Sequence, residues 1–253
     1  MLPIGDDNRD RRLTPYVNYL LIALNILVFV FFQGFGGDSA FTYAFSTVPQ
    51  EILSGEDIIT RDSIFRDPQS GQEYVQPGLQ ETPGSVYLTL LTSMFMHGGL
   101  AHIGGNMLFL FIFGDNLEDR MGHGRYLLFY LISGILASLA HVYSSAFLDQ
   151  NLLIPSLGAS GAISGVMGGY LLLFPRRRVT VILFRFLTQV PAFVAVGIWF
   201  IFQVIEGLGM LGGGSGGGVA YAAHIGGFIA GFLLVKLFDQ GQQTPHIPPR
   251  YGR

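Results

Sequence analysis

Six stretches of this chain run for 20 residues or more without an Asp, Glu, Lys or Arg: 13–37, 82–114, 126–148, 150–175, 186–205 and 207–235. A helix needs about 20 apolar residues to cross the hydrocarbon core of a bilayer. The next longest such stretch, 39–50, is too short to do so. The pattern therefore predicts an all-α membrane protein with six transmembrane helices, at roughly 16–34, 95–114, 125–147, 158–175, 185–205 and 219–238. Only 12% of the residues are charged, where a soluble domain carries about 25%. The first stretch is longer than the apolar run of a signal peptide, and no clear small-residue cleavage site follows. It reads as an uncleaved anchor.

The basic residues orient the bundle. Lys and Arg near helix ends collect on the cytoplasmic side. Twelve of the 14 fall before helix 1, between or at the adjoining ends of helices 2 and 3 and of helices 4 and 5, or at the end of helix 6 and beyond it. Only Arg61 and Arg66 lie elsewhere, both in the first outer loop. Six spans with both termini cytoplasmic satisfy this split. The chain then divides into a cytoplasmic N-terminal segment (1–15), a six-helix membrane domain (16–238) and a Gln/Pro-rich cytoplasmic tail (239–253) expected to be disordered. The outer loop 35–94 is too long for a mere connector and is either a disordered excursion or a folded cap. The Gly-rich loop 206–218 is either an idle linker or a mobile lid.

Composition excludes several chemistries. There is no cysteine, hence no disulfide, Cys-ligated zinc, iron–sulfur cluster or thiol nucleophile. The net charge of −3 argues against a nucleic-acid binder. No charged side chain lies in a helix centre, so an ion or proton path lacks groups.

What remains is four uncharged polar residues. His102 and Asn106 sit on helix 2, Ser160 on helix 4 and His224 on helix 6. Each has a dull explanation alone. An intramembrane Ser usually bonds the carbonyl one turn back, and a lone His usually packs. His141 on helix 3 is read mainly as packing, with a supporting role near a site as the alternative. Runs such as Gly161/Gly165/Gly169 and Ala223/Gly227/Gly231 mark close helix contacts. Topology changes the reading. Helices 2, 4 and 6 run in the same direction, and the four residues fall within about three turns of their outer ends, so they share one depth. His102 and Asn106, four apart, project from one face. A serine becomes a nucleophile when a neighbouring base takes its proton, and His224 can be that base. Asn106, His102 and the Ser160 N–H can stabilise an oxyanion. With no carboxylate at that depth, the pair reads as a dyad whose imidazole is oriented by packing.

These residues resemble the rhomboid intramembrane serine proteases. The matching motifs are GASG at 158–161, HIGGN at 102–106, AHIGGFIAG at 223–231, the earlier His97, and a GxxxExxxG pattern at Gly114, Glu118 and Gly122. The resemblance covers about residues 85–238. It implies a six-helix rhomboid-like bundle with Ser160 as nucleophile, His224 as base, and His102 with Asn106 as oxyanion donors. It also implies single-pass transmembrane protein substrates, cleavage near the outer face, and neither metal nor other cofactor. The expected setting is a bacterial inner membrane. Two positions depart from the pattern. Leu88-Thr89 stands where many members carry Trp-Arg, and Ser164 stands where some bacterial members place a Tyr against the base. The alternative function is a catalytically silent binder of transmembrane helices, against which the intact Ser160/His224 pair argues.

Overall fold

The computed structural model describes residues 1–66, 73–211 and 220–241. The chain is mostly helical. Strand β1 (Leu2–Asp6) leads into helix α1 (Tyr16–Leu27), which continues through a wider π turn to Phe32. Then come α2 (Ser39–Ala44), α3 (Pro49–Ser54), β2 (Ser63–Arg66), β3 (Glu73–Gln76) and α4 (Thr89–Thr92). The main bundle follows: α5 (Leu100–Met121), α6 (His123–Phe147), α7 (Ser160–Leu173), α8 (Ala192–Leu211) and α9 (Tyr221–Phe238). Strands β4 (Arg178–Leu183) and β5 (Phe186–Pro191) lie between α7 and α8.

Among the described residues, three helices are long and apolar enough to cross a membrane: His123–Phe147, Ala192–Gly209 and Tyr221–Phe238. Val86–Phe95 and Leu100–Met121 meet at 81° and together make a fourth candidate. Tyr16–Phe32 and Ser160–Leu173 are apolar but shorter.

Among the described residues, two small sheets correct the all-α expectation. One has the order β1-β4-β5, antiparallel throughout, and the other is the β2-β3 hairpin. Residues 178–183 read RVTVIL, rich in β-branched residues that suit a pleated surface. Val179 and Val181 point into the core on alternate positions. The fifth long helix therefore begins at Ala192 instead of 185, and it extends to Leu211. Part of the expected Gly-rich loop is thus helical. Its remainder, and the tail beyond 241, lie outside the described residues.

Helix α7 is the axis of the bundle. Every residue from Gly161 to Tyr170 is buried, as expected of a helix apolar all round and enclosed by protein. Helix α9 packs on it without intervening side chains. A Cβ on Gly231 would overlap the Gly165 carbonyl oxygen, and one on Gly227 would overlap that of Gly161. Of the small-residue ridges read from sequence, Gly227 and Gly231 press on the α7 backbone, while Gly169 packs against the Phe129, Val235 and Leu117 side chains.

The GxxxExxxG motif has a physical account. A side chain on Gly114 would overlap Asn18 and the Tyr126 hydroxyl. The Glu118 carboxylate accepts hydrogen bonds from the Val17 and Asn18 backbone N–H groups at 3.0 and 2.7 Å. These are first-turn donors of α1 with no intrahelical partner. Gly122 has φ +73 and turns the chain directly from α5 into α6. A buried polar cluster continues at this end of the bundle. Asp6 accepts from Asn116 at 2.7 Å and from the Tyr170 hydroxyl at 2.5 Å. Arg177 pairs with Asp10 and Arg120 with Asp239. The N-terminal strand, the ends of α5 and α9 and the entry to β4 therefore meet at one end.

At the other end the described part of loop 35–94 is a folded cap. Thr47 and Ser156 exchange backbone hydrogen bonds at 2.9 and 2.8 Å. The Thr47 hydroxyl reaches the Thr89 carbonyl and Ser93, both at 2.9 Å, and Thr92 donates to the Phe45 carbonyl. The Gln33 amide both donates to the His97 carbonyl and accepts from its N–H, each at 3.0 Å. Short threonine and amide bonds anchor this loop, where Leu88-Thr89 replaces Trp-Arg.

Candidate active site

Ser160 opens α7. As a first-turn residue, its backbone N–H has no partner within the helix. The approach is fixed by Gly158, whose N–H donates to the Ser93 carbonyl at 2.8 Å. Gly158 has φ +123, and a Cβ there would sit 2.8 Å from His102 Nε2 and 3.6 Å from Ser160 Oγ. Only glycine leaves that space open. The GASG motif is thus a turn that sets the serine and an imidazole on either side of an empty volume.

His224, in the first turn of α9, reaches Ser160: Nε2 lies 2.8 Å from Oγ. The contact follows from the close α7–α9 packing just described. Ser164, one turn later on α7, donates its hydroxyl to the Ser160 carbonyl at 2.6 Å. That is the ordinary bond of a serine within a helix.

Helix α5 supplies the other two residues. His102 Nδ1 accepts from the Gly98 N–H at 3.4 Å, which leaves Nε2 carrying the proton in the neutral ring. Asn106 is buried, and its amide nitrogen lies 2.9 Å from His97 Nε2. One amide N–H is used there and one is left over. The rings of His97 and His102 meet edge to face, with centroids 5.1 Å apart. Ser160, His224, His102 and Asn106 all line one cavity of about 1000 Å³. Its wall also includes His141 and Trp199. No Asp or Glu lines it among the described residues.

The expectation that packing alone orients His224 is corrected. Gln203 on α8 places Oε1 2.7 Å from His224 Nδ1. Trp199, one turn earlier on α8, has its ring 6.1 Å from the imidazole, and Tyr221 lies 6.4 Å from it. Sequence reasoning misses Gln203 because nothing in a single span gives its register toward α9. The available signal is an amide four residues after the chain's one Trp in an otherwise apolar stretch.

Residues 84–240 match the family model of the Rhomboid domain. The chain is 33% identical over 147 residues to Rhomboid protein 1, mitochondrial, of Saccharomyces cerevisiae, covering 58% of this chain and 40% of that one. It is 37% identical over 185 residues to RHOMBOID-like protein 4 of Arabidopsis thaliana, covering 69% and 41%. Over 144 residues it is 33% identical to Rhomboid protease GluP of Bacillus subtilis, covering 57% and 24%. The chain spans less than half the length of each of these relatives. The match takes in α5 to α9 and all four cavity residues, and on that ground the chain belongs to the rhomboid family.

Proposed function

We propose that this integral membrane protein is a serine endopeptidase that cuts membrane-anchored, single-pass proteins within the outer part of the bilayer. The observation that carries the reading is the 2.8 Å approach of His224 Nε2 to Ser160 Oγ, in a cavity that His102 and Asn106 also face. His224 takes the hydroxyl proton as Oγ bonds the scissile carbonyl carbon. The oxyanion is met by the Ser160 N–H, His102 Nε2–H and the spare Asn106 N–H. The proton then passes to the leaving amine, and water releases the acyl group by the same path in reverse. The relative from Bacillus subtilis is named a protease, which supports the same reading.

Depth supports the membrane setting. Helix α7 has 14 residues, about 21 Å at about 1.5 Å per residue, short of the ~30 Å hydrocarbon core. If its inner end meets the inner interface, Ser160 sits below the outer one, in a cavity walled by protein. The six-span arrangement with both termini cytoplasmic counts α1 and α7 as short spans. The contacts that join the N-terminal strand, the end of α5 and the end of α9 at one end of the bundle support it.

The test is incubation of the protein in liposomes with a panel of single-pass membrane proteins, beside a fluorophosphonate probe. Cleavage and labelling are expected in the native protein and absent in Ser160→Ala. Cleavage that persists in Ser160→Ala would overturn the reading.

A further inference from the structure

We propose that Gln203 is the positioning residue for His224, filling with a neutral amide the place that an acidic side chain holds in serine–histidine–aspartate sites. The inference rests on the proteolytic reading above and identifies what makes its base competent.

A neutral imidazole carries one ring proton. Gln203 Oε1, an acceptor, lies 2.7 Å from Nδ1, so the proton is held on Nδ1. Nε2 then presents its lone pair to Ser160 Oγ, 2.8 Å away. The opposite tautomer would aim an N–H at the serine and could not accept its proton. When Oγ bonds the carbonyl carbon, its proton moves to Nε2, and the Nδ1–H stays in its bond to Gln203 throughout. The amide dipole also opposes the positive charge that develops on the ring.

The choice of amide has a physical reason. Gln203 is half-buried on a largely apolar helix, whose one acidic side chain, Glu206, is exposed one turn further along and outside the cavity wall. An ionised carboxylate there would be costly to desolvate, with no Lys or Arg among the described residues of the cavity wall to repay it. A neutral acceptor fixes the tautomer without that cost. Trp199 and Tyr221 flank the ring at 6.1 and 6.4 Å and limit its rotation, so one hydrogen bond suffices to set its face. Gln203 and Trp199 are four residues apart and therefore share one side of α8. Neighbours Phe202 and Val204 have no acceptor to offer.

The experiment uses the full-length protein in liposomes, a fluorophosphonate probe and ¹⁵N-histidine labelling. The wild-type His224 signal, identified by its loss in His224→Ala, is expected to show the Nδ1–H tautomer. In Gln203→Leu it shifts toward a mixture. The maximal labelling rate falls about tenfold, the rate equivalent of one hydrogen bond, and the probe concentration giving half that rate is unchanged. Gln203→Glu, which keeps a carbonyl acceptor in either protonation state, restores the rate and the tautomer. The proposal is overturned if Gln203→Leu labels at the wild-type rate. It is also overturned if Gln203→Glu is as slow as Gln203→Leu, since Gln203 would then only tie α8 to α9. Failure of the proteolytic reading looks different: wild type does not label at Ser160, although the tautomer still depends on Gln203.

Discussion

Ser160 and Ser164 lie one turn apart on α7, yet their hydroxyls serve opposite ends: Ser164 Oγ donates to the Ser160 carbonyl at 2.6 Å, while Ser160 Oγ faces His224 Nε2 at 2.8 Å. The first serine of a helix has no carbonyl one turn back within that helix. Its hydroxyl is free for another partner, and α9 brings that partner. On the proposed reading, the position at the helix start, and not the residue type, is what would separate a nucleophile from a packing serine.

The corresponding prediction is a pair of variants. Ser164→Ala should label with a fluorophosphonate within about twofold of wild type, because back-bonding of this kind is close to neutral for a helix. Ser160→Ala should not label at all while keeping its melting temperature. Loss of labelling in Ser164→Ala with an unchanged melting temperature would move the nucleophile by a turn.

Asn106 yields a second prediction. Its amide is held by His97 at 2.9 Å, so the remaining N–H is aimed and not free to rotate. Loss of a preorganised oxyanion donor costs about 10²–10³ in kcat, with KM little changed. The expected loss for Asn106→Ala lies at the lower end, since His102 and the Ser160 N–H remain. Melting temperature and kcat, measured on one sample, decide the matter. A lowered melting temperature with intact turnover would make Asn106 a packing residue.

Glycines in the two similar motifs should behave differently. In HIGGN, a Cβ on Gly104 meets nothing within 4 Å, so Gly104→Ala should be neutral or stabilise by up to ~1 kcal/mol through helix propensity. In AHIGGFIAG, Gly231 abuts the Gly165 backbone. Gly231→Ala should cost about 1–3 kcal/mol or more by overpacking, and should slow labelling because α9 carries His224. Thermal unfolding of both variants checks this, and equal effects would contradict the close α7–α9 contact.

Topology gives a fourth prediction. Twelve of 14 basic residues lie before the first apolar stretch, around the second and fourth turns between stretches, or at and beyond the end of the last. A reporter fused after residue 241 should read cytoplasmic, and a tag near residue 65 external. Reports from the same side would remove the shared depth of the four polar residues.

The four cavity residues are legible in the sequence through two independent signals. Charge-free lengths mark the apolar stretches that hold the long helices, and residue offsets along them point Ser160, His224, His102 and Asn106 to one level; the structure brings the four to one cavity. Both are local signals. The sheet is hidden because residues 186–191 carry no charge and merge with the apolar run that follows. Its first strand, Leu2–Asp6, is also distant in sequence from its partner Arg178–Leu183. Gln203 is hidden for a related reason. Its importance depends on which face of α8 meets α9, and the start of α8 at Ala192 is set by the β4-β5 hairpin. A one-dimensional pattern carries no information on that rotation. Glu118 is intermediate: GxxxExxxG marks it, but the arrival of the α1 N-terminus and of His123 explains the carboxylate.

The N-terminal clasp leads to a pH prediction. Asp6 is half-buried at the end of β1, and its carboxyl is raised from 3.8 to about 7, chiefly by removal from solvent. The Tyr170 hydroxyl bond works against the rise, Asp115 adds to it, Arg177 opposes it and Asp7 adds slightly. One oxygen accepts from Asn116 and Tyr170, while Oδ1 has no partner among the described residues. Because the folded-state value lies above the unfolded one, the folded protein holds the proton more tightly. The associated stability is fully present below about pH 4 and is lost as pH rises toward about 7, with no further change above it. Within that window each pH unit contributes up to ~1.4 kcal/mol. Asp6→Asn keeps an acceptor for Asn116 and Tyr170 but cannot ionise. Its melting temperature should exceed that of wild type at pH 8, and the difference should shrink as pH falls from 7 to 5. A difference independent of pH would show that Asp6 is not the titrating group at this end of the bundle.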